Sequence, residues 1–272
     1  MPIESPANQR VKLLRSLTTR SGRARERSFL VEGVRLIEAA LAAGAEPSLV
    51  LYDETAPAEN PRLAALLDRL PPAACWSATP TIIEMVSDTV TTQGIVAAFP
   101  LPTRPLPRQG IIVVADAIAD PGNAGTLIRT AAAAGAAGLA YLPGTVDPFS
   151  PKVVRAGAGA HWQIPVARLS VEDLRLNADR GGWLAVARDG VPYHEVDWRP
   201  DGYLVVGSEA WGAREGVATS GFEPVTIPLA PGVESLNSAV AAAVLLFEAR
   251  RAVGASNHTP TSRPTARPGR HR

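Results

Sequence analysis

Beyond residue 110 the chain alternates short, uninterrupted apolar runs with longer segments of helical period, and this alternation restricts the fold more than any other feature. IIVVADAI (Ile111–Ile118), GLAYLP (Gly138–Pro143), IPVARL, GWLAVARD and YLVVGSE (Tyr203–Glu209) are apolar on both faces, as strands are when helices cover both sides of a parallel sheet. Between them GTLIRTAAAAG (Gly125–Gly135) and Val171–Arg180 read as helices. The last segment, SLNSAVAAAVLLFEARRAVG (Ser235–Gly254), is apolar nearly all round and so belongs in a buried position. Residues 110–254 are therefore expected to form an α/β domain with a mostly parallel sheet.

A smaller α/β unit is expected over residues 1–99. It reads as a basic helix (Asn8–Thr18), a strand FLVEG (Phe29–Gly33) opening the helix VRLIEAALAAG (Val34–Gly44), a strand SLVLYD (Ser48–Asp53), a helix PRLAALLDRL (Pro61–Leu70) and a closing strand IVAAFP (Ile95–Pro100). The segment from Pro100 to Gly110 holds four prolines in eleven residues, which suits a stiff spacer over 100–109. Residues 255–272 are polar, Pro-rich and without apolar period, and read as a disordered basic tail.

The formal net charge of +1 hides a segregation: residues 1–30 carry +5, residues 249–272 carry +6, and the body between them carries −10. Cationic arms on an acidic body suit a polyanion, because each phosphate neutralised releases counterions. The apolar runs are too short to span a bilayer. The N-terminus lacks a secretory h-region and cleavage site. The single cysteine, Cys75, forms no internal disulfide or metal cluster and reads as a small buried hydrophobe. These features predict a cytoplasmic protein with no membrane partner and no metal.

Three segments fall where ligands collect in parallel sheets, at the carboxyl ends of strands. In DPGNAGTLIRTAAAAGA (Asp120–Ala136), Asn123 and Arg129 are the strong side-chain handles. The segment reads either as a phosphate- or ribose-contacting loop or as an ordinary turn with Asn123 capping a helix. VVGSEAWG (Val205–Gly212) sets Glu209 at a strand tip, where a buried strand does not need it. IPLAPGVESLNSAVAAA (Ile227–Ala243) reads as a strand, a Pro-Gly loop, and Ser235 and Asn237 opening the buried helix, or simply as a capped apolar helix.

In order, these segments resemble the motifs of the SpoU (TrmH-like) family of RNA 2'-O-ribose methyltransferases, within the SPOUT superfamily. Asn123, Gly125 and Arg129 match the first motif; Gly207, Glu209 and Gly212 the second; Ser235, Leu236 and Asn237 the third. Asp147–Ala160 resembles the stretch between the first two, although the family often carries serine where Gly157 stands, a departure expected to loosen a local contact. Asn8–Gly33 resembles the ribosomal-protein-like substrate-binding domain of many members.

The resemblance implies a trefoil-knotted C-terminal domain, S-adenosylmethionine (AdoMet) as cofactor, structured RNA as substrate with ribosomal RNA favoured over tRNA, and a homodimer. It implies Asn123, Arg129, Glu209 and Asn237 as catalytic residues. The implied cofactor pocket comprises Leu204, Val205, Val206, Gly207, Glu209, Ile227, Leu229, Ser235 and Leu236. A guanidinium is effectively always protonated, so Arg129 is expected to stand beside the developing alkoxide and fix a phosphate rather than to take the proton. His161 and His194 read as structural or solvated. A non-catalytic RNA-binding protein of the same fold is the alternative, against which the four catalytic positions argue. A nucleotide-dependent oxidoreductase lacks its fingerprint, since no strand is followed by G-x-G-x-x-G.

Overall fold

The computed structural model describes residues 1–89, 91–208 and 212–256. The N-terminal part runs α1 (Gln9–Ser16), α2 (Arg20–Glu26), β1 (Ser28–Glu32), α3 (Val34–Ala42), β2 (Leu49–Asp53), α4 (Ala56–Glu59), α5 (Pro61–Leu67), β3 (Cys75–Ala78), α6 (Pro80–Val86) and β4 (Ile95–Pro100). Its four strands form a mixed sheet in the order β1-β4-β2-β3, antiparallel except for β2 and β3. Four elements, α2, α4, β3 and α6, escape the sequence pattern. In α2, RSGRARE buries only Gly22 and Arg23, so it has no apolar stripe to detect. β3 is four residues long with one fully buried position, and it leads directly into α6. Cys75 in β3 is half-buried rather than fully inside, and burial raises its thiol pKa, away from reactivity.

Residues 101–110 carry no helix or strand. The second part follows as β5 (Ile111–Ala115), α7 (Pro121–Ala134), β6 (Gly138–Tyr141), α8 (Pro151–Gly157), β7 (Val166–Arg168), α9 (Val171–Leu176), β8 (Gly182–Val186), β9 (Val191–Pro192), β10 (Gly202–Val206), α10 (Glu215–Ala218), β11 (Glu223–Thr226) and α11 (Ser238–Ser256). Its sheet has the order β7-β6-β5-β10-β8-β11-β9, and every pair is parallel. The strand expected at Ile227 lies earlier, at β11, because Pro228 and Pro231 remove two backbone donors from the segment that follows. The last helix begins at Ser238, not Ser235, and extends to Ser256, two residues into the expected tail; residues 257–272 lie outside the described residues. Among the described residues no helix is long and apolar enough to cross a membrane.

The two sheets share one core. The Phe29 ring of β1 packs edge-on against Phe149 at 5.2 Å and tilted against Trp162 at 5.7 Å, while Phe99 of β4 meets Trp162 at 5.5 Å. Ion pairs border this contact: Arg155 of α8 reaches Asp88 at 2.7 Å and Glu32 at 3.8 Å. His161 lies fully buried beside Phe29 and Phe149, its Nε2 2.8 Å from the Pro148 carbonyl. Burial pushes its pKa down to about 4, so it is neutral and structural. The same ring explains Gly157: a Cβ there would stand 2.5 Å from His161 Cε1, so the glycine fits the imidazole instead of loosening the contact.

Candidate active site

Three loops at the carboxyl edge of the parallel sheet close on one another. The first follows β5. Asp120, not Asn123, caps α7: its Oδ1 accepts from the Asn123 backbone N–H at 2.8 Å, with Pro121 at the first helical position. Asn123 therefore sits inside the first turn, where its side chain is not needed by the helix. Gly125 is helical, and its role is contact rather than loop freedom. A Cβ there would meet Ala156 Cβ at 2.4 Å and the Val153 carbonyl at 2.6 Å, both on α8.

The second loop follows β10. Ser208 and Gly212 exchange two backbone hydrogen bonds of 2.9 Å, with Gly212 at φ +67°, so 208–212 closes as a narrow turn. Gly207 lies under that turn, where a Cβ would come within 2.2 Å of the Ala213 backbone nitrogen. Glu209 lies outside the described residues. The turn is anchored at its far end by Asp116, which immediately follows β5 and has no solvent exposure. Asp116 Oδ2 accepts from the Arg214 backbone N–H at 2.8 Å, and Oδ1 accepts from Arg214 Nε at 2.7 Å and Nη2 at 2.5 Å. The pair ties the second loop to the strand that launches the first. Neither residue stands out in the sequence reading, although an acid at the end of an all-apolar run is a signal in itself.

The third loop, 227–237, ends at Asn237, whose Oδ1 caps α11 by accepting from Ala239 N–H at 3.0 Å and Val240 N–H at 3.2 Å. Its Nδ2 donates to Asn123 Oδ1 at 2.9 Å, joining residues 114 positions apart. The structure thus brings two of the predicted catalytic residues into direct contact. Arg129 stands on α7 six residues beyond Asn123, about 9 Å further along the helix axis, and is exposed.

Between the second and third loops lies a cavity of about 460 Å³. Of the predicted cofactor residues, Val206, Gly207, Ile227, Leu229, Ser235 and Leu236 line it. Leu204 and Val205 do not: they are completely buried within β10, with their side chains in the core on either side of the sheet. The wall also includes Leu184–Ala187 at the end of β8 and Ser238, Ala241 and Leu245 on α11, which motif matching passed over because they are ordinary small and aliphatic residues. The volume lies in the range that takes a small organic ligand. The mixture of aliphatic walls, turn backbone and serines suits a molecule with an apolar ring and polar rim. His194 is exposed beside Glu195 and is not among the residues lining the cavity.

Comparison with known proteins agrees with this geometry. Residues 8–97 match the MRM3-like substrate binding domain. The chain is 34% identical to the Bacillus subtilis (strain 168) 23S rRNA (guanosine(2553)-2'-O)-methyltransferase RlmP, over 91% of this chain and 98% of that protein. It is 29% identical to human mitochondrial rRNA methyltransferase 3, over 90% of this chain and 73% of that one. The AdoMet-bound crystal structure of an rRNA methyltransferase from Sinorhizobium meliloti superposes with a TM-score of 0.80 at 32% identity, covering 92% of this chain and 97% of that one. Residues 110–247, with both asparagines and the cavity they border, match the SpoU rRNA Methylase family, and the chain belongs to that family.

Proposed function

We propose that the protein transfers the methyl group of AdoMet to a ribose 2'-hydroxyl of ribosomal RNA. Residues 1–99 dock the RNA and residues 110–254 carry the chemistry. The observation that carries this reading is the meeting of the three loops. Asn237 is flanked by Leu236 and Ser238, both on the cavity wall, and its side chain holds Asn123. A ligand in the cavity is therefore next to a pair of amides that can orient a sugar hydroxyl. AdoMet bound there would supply a methyl group on a sulfonium: the new C–O bond forms as the C–S bond breaks, the sulfur leaves as the neutral thioether of S-adenosylhomocysteine, and the hydroxyl proton passes to solvent.

What remains for the chain is to make a weak nucleophile reactive. Positioning the hydroxyl in line shares the largest part of that task with electrostatics. The linked Asn123 and Asn237 amides offer hydrogen bonds that fix the ribose. Arg129, exposed and permanently cationic, is free to grip the adjacent phosphate and lower the energy of the developing alkoxide. Glu209, which lies outside the described residues, is assigned to the same set by its place in the second motif, with the role of holding the arginine. Threading of the last segment through the loop after β10 belongs to the same reading, supported by the walls that both loops share. The homodimer is supported by α11, where Val240 and Phe247 lie two turns apart and both remain half-exposed. The bacterial relative supports a cytoplasmic setting.

The test is methyl transfer from labelled AdoMet to unmodified ribosomal RNA, with the product mapped as a 2'-O-methyl ribose. Arg129→Ala should reduce kcat at least 100-fold with AdoMet binding intact. Wild-type protein that binds no AdoMet, or a near-normal Arg129→Ala enzyme, would refute the reading.

A further inference from the structure

The helix α2 of the N-terminal part is fixed to the parallel sheet at a defined place. Arg23 donates from Nε and Nη2 to Asp147 Oδ2 at 2.9 and 2.5 Å, and from Nη1 to the Leu17 carbonyl at 2.7 Å. Its side chain is 5% exposed, so α2 is locked over the loop that follows β6. Arg20 precedes Arg23 by three residues, one turn of the same helix, and is exposed. Tyr141 ends β6 and Arg168 ends β7, and the two are direct register partners, so their side chains leave the same face of the sheet.

Charge connects the three. Burial is the main influence raising the Tyr141 pKa, Asp147 raises it further, and the cations of Arg20 and Arg168 both oppose the rise. The charges of one arginine from each part of the molecule thus act on the same tyrosine, Arg168 as its register partner and Arg20 from the helix that Arg23 ties to Asp147. Neither guanidinium forms an ion pair or side-chain hydrogen bond among the described residues. All of this lies on the edge that bears the active site. Along the strand order β7-β6-β5-β10, the carboxyl ends present Arg168, Tyr141, the loop leading to Asn123, and then the turn over the cavity.

We propose that Arg20 and Arg168, with Tyr141 between them, form a phosphate-binding bridge. It would carry a single RNA strand from the N-terminal part across the junction to Asn123 and Asn237. The proposal rests on the reading of the cavity as a site of methyl transfer to RNA and names how the strand reaches it. Unpaired arginine forks suit phosphodiester oxygens, and a phenol ring between them offers a face for an unstacked base. Because α2 is locked to the sheet, the two arginines stand at a fixed separation, which sets the number of nucleotides between the docked element and the reacting ribose.

The experiment compares wild-type protein with the Arg20→Ala/Arg168→Ala double variant, in which both changes are exposed. Affinity for a fluorescein-labelled 20-nucleotide oligouridine is followed by anisotropy from 50 to 300 mM KCl. Each lost phosphate contact flattens the plot of log Kd against log salt by about 0.7, so the double variant should show a slope shallower by about 1.4. With ribosomal RNA as substrate, KM should rise while kcat and AdoMet affinity hold. Superimposable slopes overturn the proposal, as does a fall in kcat with unchanged slope or wild-type protein that does not bind oligouridine at 50 mM KCl. Loss of the methyl-transfer reading would show separately, as wild-type protein that does not bind AdoMet.

Discussion

The ion pair under the second loop makes an asymmetric prediction, in which the more exposed partner is the costlier one to remove. Asp116 is wholly buried, whereas the Arg214 side chain keeps 42% of its exposure. Arg214→Ala leaves the carboxylate inside, held by one backbone N–H at 2.8 Å. An orphaned buried charge costs about 3–5 kcal/mol. The remaining N–H and water entering the vacated, half-open space reduce that to about 2–3 kcal/mol. Asp116→Asn keeps the shape and removes the buried charge, and the arginine it releases can turn to solvent. Losing charge-assisted bonds to a half-solvated cation should cost about 1–2 kcal/mol. The double variant should resemble Asp116→Asn alone, so the coupling energy equals the cost of Arg214→Ala by itself, about 2–3 kcal/mol. Urea unfolding of the four proteins measures this. Calorimetric titration with AdoMet should show Arg214→Ala weakened on the order of tenfold, since the freed turn supplies Gly207, Ser208, Gly212 and Ala213 to the cavity wall. Additive single variants, or an Arg214→Ala protein more stable than Asp116→Asn, would show that the pair does not hold the turn in the way argued.

Three further outcomes follow from packing and charge. Gly125→Ala should destabilise by about 1–3 kcal/mol despite alanine's better helix propensity, because the new methyl meets α8 backbone and Ala156 at 2.4–2.9 Å; an unchanged or raised Tm refutes the close contact. Burial holds the folded pKa of His161 down to about 4 against an ordinary imidazole value of 6.5, so the folded state prefers the neutral ring. Its contribution is complete above about pH 6.5 and is lost as pH falls toward 4, amounting to about 3 kcal/mol across that window. His161→Gln, which can still donate to the Pro148 carbonyl, should flatten the fall in urea midpoint between pH 7 and pH 5, and an equally steep fall would exclude His161 as its source. Arg129→Lys keeps the charge and loses the fork; it should recover less than a tenth of wild-type kcat, and full recovery would show that charge alone suffices.

Much of the architecture follows from short-range rules that the sequence displays. The apolar runs at Ile111, Gly138 and Tyr203 are strands because nothing in them is polar enough to face water, and each pairs in parallel as such runs require. Elements without an apolar stripe stayed hidden: α2 is held by a single buried arginine whose acceptor lies 124 residues away. The same limit governs the site. Asn123 is conspicuous in a Gly-rich turn, yet its two local readings differ only in whether Asp120 takes the cap, and that is settled by a side-chain rotamer rather than by composition. Once Asp120 caps the helix, Asn123 is left to Asn237, a contact that exists only after β5 and the loop behind β11 have been brought to one edge.

Asp116 shows how far such reasoning extends before topology must take over. A carboxylate directly after a strand whose last four residues are buried has no water to satisfy it, so a cation from elsewhere in the chain is required by desolvation alone. Local sequence does not say which of the many arginines answers. The strand order does: β10 lies directly beside β5, in parallel and in register from Gly202 against Ile111 to Val206 against Ala115. The chain leaving β10 therefore emerges next to Asp116, and the first arginine it reaches is Arg214. Because that same stretch of chain carries Gly212 and Ala213 of the cavity lining, the requirement to neutralise one buried acid also fixes where that cavity wall stands relative to Asn123.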